Sequence, residues 1–170
     1  MMIREATAND WPAIWPFMRD IAAAGLTFSW DRDITEEAAR HRWFPAPPGR
    51  TIVAVDDAGT VIGTAVSGPN KEGPAAHIAT ASFMVDPRRF GHGAGRALGQ
   101  RVVEQARADG FRGMQFNAVV EANTRAVELW HSLGFQTLTV VPGAFHHPTE
   151  GYVGLHIMFQ AFSPAAVEGG

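Results

Sequence analysis

Three glycines at every second position, Gly91, Gly93 and Gly95, lie between the basic pair Arg88-Arg89 and Arg96. Glycines so placed let a backbone turn tightly and meet a ligand with no Cβ in the way. An apolar, strand-like run from Ile78 to Val85 precedes them, and a helix-like run from Ala97 to Ala108 follows. The unpartnered N–H groups and the dipole at a helix start attract anions. The stretch therefore reads as a pyrophosphate cradle. It is not the dinucleotide fingerprint, because Gly91-x-Gly93-x-x-Arg96 breaks the pattern and no ~30-residue unit with a ribose-binding acid follows. It is not a P-loop either, since no Gly-Lys-Ser/Thr is present.

Two other clusters carry chemical groups. Leu26-Thr27-Phe28-Ser29-Trp30 mixes aromatic rings with hydroxyls, which suits core packing or the wall of a substrate pocket. His146-His147 invites a metal. Adjacent residues on a loop rarely address one ion, the chain has no cysteine, and Glu150 is the one carboxylate near them, so no metal is expected.

These groups need elements to hold them. Met2 to Ala6 reads as a first strand, and apolar Ile14, Phe17, Met18, Ile21 and Ala22 repeat at helical spacing up to Gly25. A second helix starts at the cap Thr35 and stops at Pro45, Pro47 and Pro48. Thr51 to Val55 and Thr60 to Val66 form a hairpin across Asp56-Asp57-Ala58-Gly59, and residues 68–74 form a loop rich in breakers. His77 to Val85 is a strand with Ile78, Thr80, Ser82 and Met84 on one face and Ala79, Ala81, Phe83 and Val85 on the other. Gly113 to Val120 is a strand, Asn123 to Leu133 a helix, Phe135 to Val141 a strand, Pro142 to Gly151 a loop and Tyr152 to Phe159 a last strand. Ser163 to Gly170 reads as a flexible tail, leaving residues 1–162 as one α+β domain around a single sheet.

A chain of 170 residues, 46 % hydrophobic and 18 % charged, can bury a globular core. The net charge of −3 argues against nucleic acid or an anionic membrane as the partner. No apolar run reaches the roughly 18–20 residues of a membrane span, and Met1 to Asp10 has no signal-like apolar region. The expected setting is the cytoplasm. Apolar residues near Trp15, Trp43 and the last strands suit a homodimer contact.

Two motifs resemble the GCN5-related N-acetyltransferase family over about residues 2–160. Val85-x-Pro87 followed by Phe90-Gly91-His92-Gly93-Ala94-Gly95 is similar to its acetyl-CoA loop. Asn123-x-x-Ala126-x-x-Leu129-Trp130-x-x-x-Gly134-Phe135 is similar to its second cofactor motif. The resemblance implies a mixed, mostly antiparallel sheet splayed between strands 4 and 5 and flanked by four helices. It implies acetyl-CoA as co-substrate, its pantetheine arm along Phe83, Met84 and Val85, its pyrophosphate on Gly91, His92, Gly93, Ala94, Gly95 and Arg96, and Phe90, Asn123 and Trp130 beside it. Two residues depart from the pattern. Phe90 stands where the family has Arg or Gln, and Trp130 where it often has a tyrosine acid, a role the indole N–H cannot fill.

Pro69-Asn70, His77, Phe83, Asn117 and Asn123 look like the fungal acetyltransferases that detoxify cyclic proline analogues. In that group asparagines at the positions of Asn117 and Asn123 line the reaction centre. A third, expected on strand 4, is Thr80 here. The implied reaction moves acetyl from acetyl-CoA to a small-molecule amine, with Thr27, Phe28, Trp30, Thr80 and Asn117 around the acceptor. The alternatives are a non-catalytic acyl-CoA-binding module and an acetyltransferase for a protein N-terminus or lysine. Asn117 could orient the amine or a water. His77, with an ordinary pKa of about 6.5, suits proton transfer. Glu121 lies between strand 5 and helix 4 near the splay, as a helix-start charge or a base, and Tyr152 on the last strand is a packing residue or an alternative acid.

Overall fold

The computed structural model describes residues 1–162, so the tail expected at Ser163 to Gly170 lies outside the described residues. Seven strands form one sheet: β1 (Met2–Glu5), β2 (Arg50–Val55), β3 (Val61–Pro69), β4 (Ile78–Val85), β5 (Gly113–Val120), β6 (Gln136–His147) and β7 (Gly151–Ala161). Their order is β1-β2-β3-β4-β5-β7-β6. Every neighbouring pair is antiparallel except β4 and β5. Four helices flank the sheet: α1 (Trp11–Ala24), α2 (Glu36–Trp43), α3 (Ala94–Ala108) and α4 (Thr124–Ser132). The splayed, mostly antiparallel α+β architecture is the expected one.

Period-2 alternation along the strands feeds two cores, one per face. Val53 and Val55 join Ile14, Phe17, Met18 and Trp43 of α1 and α2. Ala54 joins Leu98, Val102, Trp130 and Phe135 on the side of α3 and α4. Trp43 fixes α2 to the sheet, since its Nε1 donates to the buried Thr64 hydroxyl at 2.9 Å and that hydroxyl donates to Ile52 O at 2.9 Å. Gly99 lets α4 lie close on α3, because a Cβ there would stand 2.8 Å from Leu133 Cδ1 and 2.9 Å from Trp130 Cζ3.

Three elements differ from the expectation. Helix α3 begins at Ala94 rather than Ala97, so Gly95 and Arg96 lie in its first turn and Gly93 caps it. Strand β6 continues through Pro142 and Gly143 to His147, where a loop was expected. It is an edge strand, on which proline withdraws no ladder donor, and its register with β7 shifts between Val141 and Phe145. Strand β3 reaches Pro69, past the expected loop start. The expected dimer contact at Trp43 is corrected: its ring is fully buried, and half-buried Trp15 stacks on Trp11. Leu138, Val141 and Tyr152 are the exposed large apolar or aromatic residues of the last strands among the described residues.

The start of α1 is held by a buried carboxylate. Asp10 accepts from Arg4 Nη1 at 2.8 Å and Nη2 at 2.7 Å, and from the Thr7 N–H at 2.7 Å. The Arg4 hydrogen bonds, aided by Thr7, outweigh burial and lower the Asp10 pKa to about 2. A depressed pKa stabilises the fold above the unfolded value of about 3.9 and loses that contribution as pH falls through the folded one. Asp10→Asn should therefore lower stability at pH 7 by about 2 kcal/mol, and the gap between variant and wild type should close between about pH 4 and pH 2. Urea denaturation across that pH range measures it.

Candidate active site

Strands β4 and β5 pair only where they begin, Ile78 with Gly113 and Ala79 with Met114. At this pivot Gly113 has no room for a side chain, since a Cβ would stand 2.8 Å from Phe159 Cζ and 2.9 Å from Gln160 O. Beyond the pivot the strands part. β4 stays paired to β3 from Ala79 to Val85, so its inner edge carries backbone groups with no strand partner from Thr80 onward. β5 shifts register against β7 between Phe116 and Val119, a bulge that bends it within the gap.

The gap opens into a cavity of about 220 Å³. Phe83, Phe116, Ala126 and Trp130 line it together with Thr27, Phe28, Ser29, Trp30 and Thr80 and the two side-chain amides Asn117 and Asn123. Trp30 meets both Phe28 and Trp43 edge to face and Phe28 lies tilted to Trp43, with centroids 5.4–6.2 Å apart, so the buried Trp43 sets the aromatic wall. Another depression, lined by Glu36, Glu37, Arg40, His41 and Phe44, lies open on α2 and shares no residue with the gap.

Asn117 is held from both ends of its amide. Its Nδ2 donates to Asn70 Oδ1 at 2.7 Å, and its Oδ1 accepts from Gln115 Nε2 at 2.9 Å. Asn123 caps α4, its Oδ1 accepting from the Ala126 N–H at 3.3 Å. Asn70 stood in the sequence resemblance, but the Gln115 contact was missed. The signal for it was the spacing of two on one strand, which puts Gln115 and Asn117 on one face.

The glycine loop runs from β4 to α3. Gly91 (φ +90°) and Gly93 (φ +76°) adopt left-handed conformations with nothing within 4 Å of where a Cβ would stand. The N–H groups of residues 91–93 donate to no backbone carbonyl among the described residues. An open, donor-rich concavity at a helix start suits a phosphate. The turn before it is set by Asp86, which accepts from the Arg88 N–H at 3.0 Å and from Arg88 Nε at 2.9 Å. Burial pushes the Asp86 carboxyl up, and the Arg88 hydrogen bonds outweigh that and hold it below the usual range. Arg96 Nη2 donates to Ser132 Oγ at 2.9 Å.

Other expected residues are placed elsewhere. His77 is exposed at the closed end, its carbonyl accepting from the Arg112 N–H at 2.9 Å, and it does not line the cavity. Met84 points into the α1–α2 core, so only its backbone borders the gap. Val85 packs on the opposite side with α3. Glu121 Oε2 accepts from the Gly154 N–H at 2.8 Å, which ties it to β7. Tyr152 is 75 % exposed and stacks on His146. His147 is buried and its Nδ1 accepts from the Glu150 N–H at 3.2 Å, closing the β6–β7 turn.

A model of the acetyltransferase (GNAT) family matches residues 15–135. The chain belongs to that family and is an N-acetyltransferase that works with acetyl-CoA. A GCN5-related N-acetyltransferase from Kribbella flavida is 54 % identical, with a TM-score of 0.92 over 95 % of this chain and 97 % of that one. The structure of yncA from Salmonella typhimurium with its cofactor acetyl-CoA is 25 % identical, with a TM-score of 0.83 over 99 % of this chain and 98 % of that one. A phosphinothricin acetyltransferase from Sinorhizobium meliloti in complex with acetyl-CoA is 23 % identical and shares the fold, with a TM-score of 0.83 over 98 % of this chain and 94 % of that one. Among curated protein sequences none matches significantly. No helix of the described residues is long and apolar enough to cross a membrane.

Gly93→Glu places a side chain on left-handed backbone and a carboxylate in the loop. Acetyl-CoA affinity by calorimetry should fall at least about tenfold. Unchanged affinity with an unchanged circular dichroism spectrum would overturn the loop's assignment to the cofactor.

Proposed function

We propose that the chain acetylates the primary or secondary amine of a small molecule, an amino acid or an analogue of one, by direct attack on acetyl-CoA in a ternary complex. One observation carries this: a single cavity joins the unpaired edge of β4 to an aromatic wall and two side-chain amides. The phosphinothricin acetyltransferase that shares the fold supports a small amine as acceptor.

In this reading the pantetheine arm lies against β4 beyond Thr80, and the pyrophosphate sits over the amides of Gly91 to Arg96. A backbone N–H of β4 faces the thioester oxygen as negative charge grows there. The neutral amine attacks the carbonyl carbon, a C–N bond forms, the C–S bond breaks, and the electron pair leaves on sulfur. A thiol pKa of about 8.5 makes the thiolate a tolerable leaving group, so no tyrosine is required where Trp130 stands. The cavity lining holds no carboxylate or histidine among the described residues. The proton released by the amine then passes to water. Asn117 Oδ1, fixed by Gln115, has a second lone pair with which to orient the amine.

Free-thiol release with a panel of small amines, amino acids and N-terminal peptides tests the reading. Stimulation by small amines is expected, and stimulation by peptides alone would move the acceptor to proteins. Asn117→Ala should lower kcat/KM for the best amine about tenfold or more and leave the acetyl-CoA Kd near wild type. An unchanged rate removes Asn117 from the site.

A further inference from the structure

Two of the three arginines that flank the glycine loop are engaged elsewhere. Arg88 is chelated by Asp86, and Arg96 donates to Ser132. Arg89, like Arg125, forms no ion pair with a carboxylate among the described residues. Phe90, the residue entering the loop, is apolar and 52 % exposed. A half-exposed phenylalanine beside a phosphate cradle needs a reason, and α4 supplies one. The guanidinium carbon of Arg125 stands 5.2 Å from the centre of the Phe90 ring. Arg125 forms no ion pair with a carboxylate among the described residues.

The position of Arg125 follows from how α4 lies on α3. Ser132 meets Arg96, Leu129 approaches Gly95, and Arg125 reaches Phe90. Residues 125, 129 and 132 form one stripe of α4, and its last step falls at the mouth of the loop. The ring of Phe90 gives a guanidinium a flat, weakly hydrated seat through its π face and leaves the N–H edges directed to other partners.

We infer that Arg125 is a phosphate-binding residue for the cofactor, seated by Phe90 so that α4 supplies a cation to the loop from across the gap. This rests on the acetyl-CoA reading of the loop. The ligand chemistry is a phosphate ester or pyrophosphate oxygen, which a guanidinium binds through charge-assisted hydrogen bonds.

The test compares acetyl-CoA, acetyl-3′-dephospho-CoA and S-acetylpantetheine in wild type, Arg125→Gln and Arg125→Lys, with Kd and kcat/KM as readouts. Arg125→Gln should weaken acetyl-CoA about tenfold and leave S-acetylpantetheine unchanged, and Arg125→Lys should restore part of the loss. If dephosphorylation abolishes the difference between wild type and Arg125→Gln, the contact is to the 3′-phosphate. If the difference persists, it is to the pyrophosphate. Phe90→Leu, which keeps apolar bulk but removes the π face, should weaken acetyl-CoA about two- to fivefold. Equal loss for acetyl-CoA and S-acetylpantetheine, or no loss in Arg125→Gln, overturns the inference. A wild type that fails to prefer acetyl-CoA over S-acetylpantetheine overturns the loop reading instead, so the two failures are distinct.

Discussion

The separation of β4 from β5 after a single pair of pairings is the constraint on which the rest depends. Two neighbouring parallel strands gain by pairing along their whole length, so something must hold them apart. An aromatic wedge does this. The Trp130 ring centroid lies 4.6 Å from Phe83 of β4 and 4.8 Å from Phe116 of β5, and Phe116 stacks in turn on Phe135 at 4.3 Å. Trp130 is only 6 % exposed, and the indole is wedge and core at once. At the closed end, the bare Cα of Gly113 lets β5 press against β7 while still touching β4. Truncating such a ring removes buried contacts worth about 3–5 kcal/mol and also the spacer between the strands.

Each bank of the gap then presents a different chemistry. Toward the loop there are backbone donors on left-handed glycines, where a side chain would intrude. Toward α2 there is a neutral wall whose aromatic rings are referred back to Trp43 and, through Thr64, to the backbone of β2. A neutral lining has a direct consequence. It does not favour a protonated amine over a neutral one, whereas a cavity carboxylate would hold the ammonium form that cannot attack.

Much of this was legible in the sequence because it is local. The glycines, the Asn123 cap and the two faces of β4 follow from residue type and period. The start of α3 was placed three residues late because Gly95 looks like loop, although a glycine in a first helical turn is tolerated. The continuation of β6 past Pro142 was hidden because only tertiary context makes that strand an edge. The Asn70–Asn117 bond and the Phe90–Arg125 seat were not legible, since each joins residues far apart in the chain. His77, Glu121 and Tyr152 were attractive as chemical types. The splay opens at the far end of β4 from His77, while Glu121 and Tyr152 are taken up by the β7 backbone and the His146 ring.

The same wedge bears on how the proposed reaction can run. A tyrosine at position 130 would offer a hydroxyl to the departing sulfur. A tryptophan there, packed against Phe83, Phe116 and Phe135, fills that space with carbon instead. In the proposed reaction sulfur can then leave as thiolate, and the backbone donors of β4 face the charge that grows on the carbonyl oxygen. The polar groups left at the reacting centre are amides, which orient but do not titrate. Proton transfer in such a site depends on water reaching the amine, and the hydroxyls of Thr27, Ser29 and Thr80 in the cavity lining can order it.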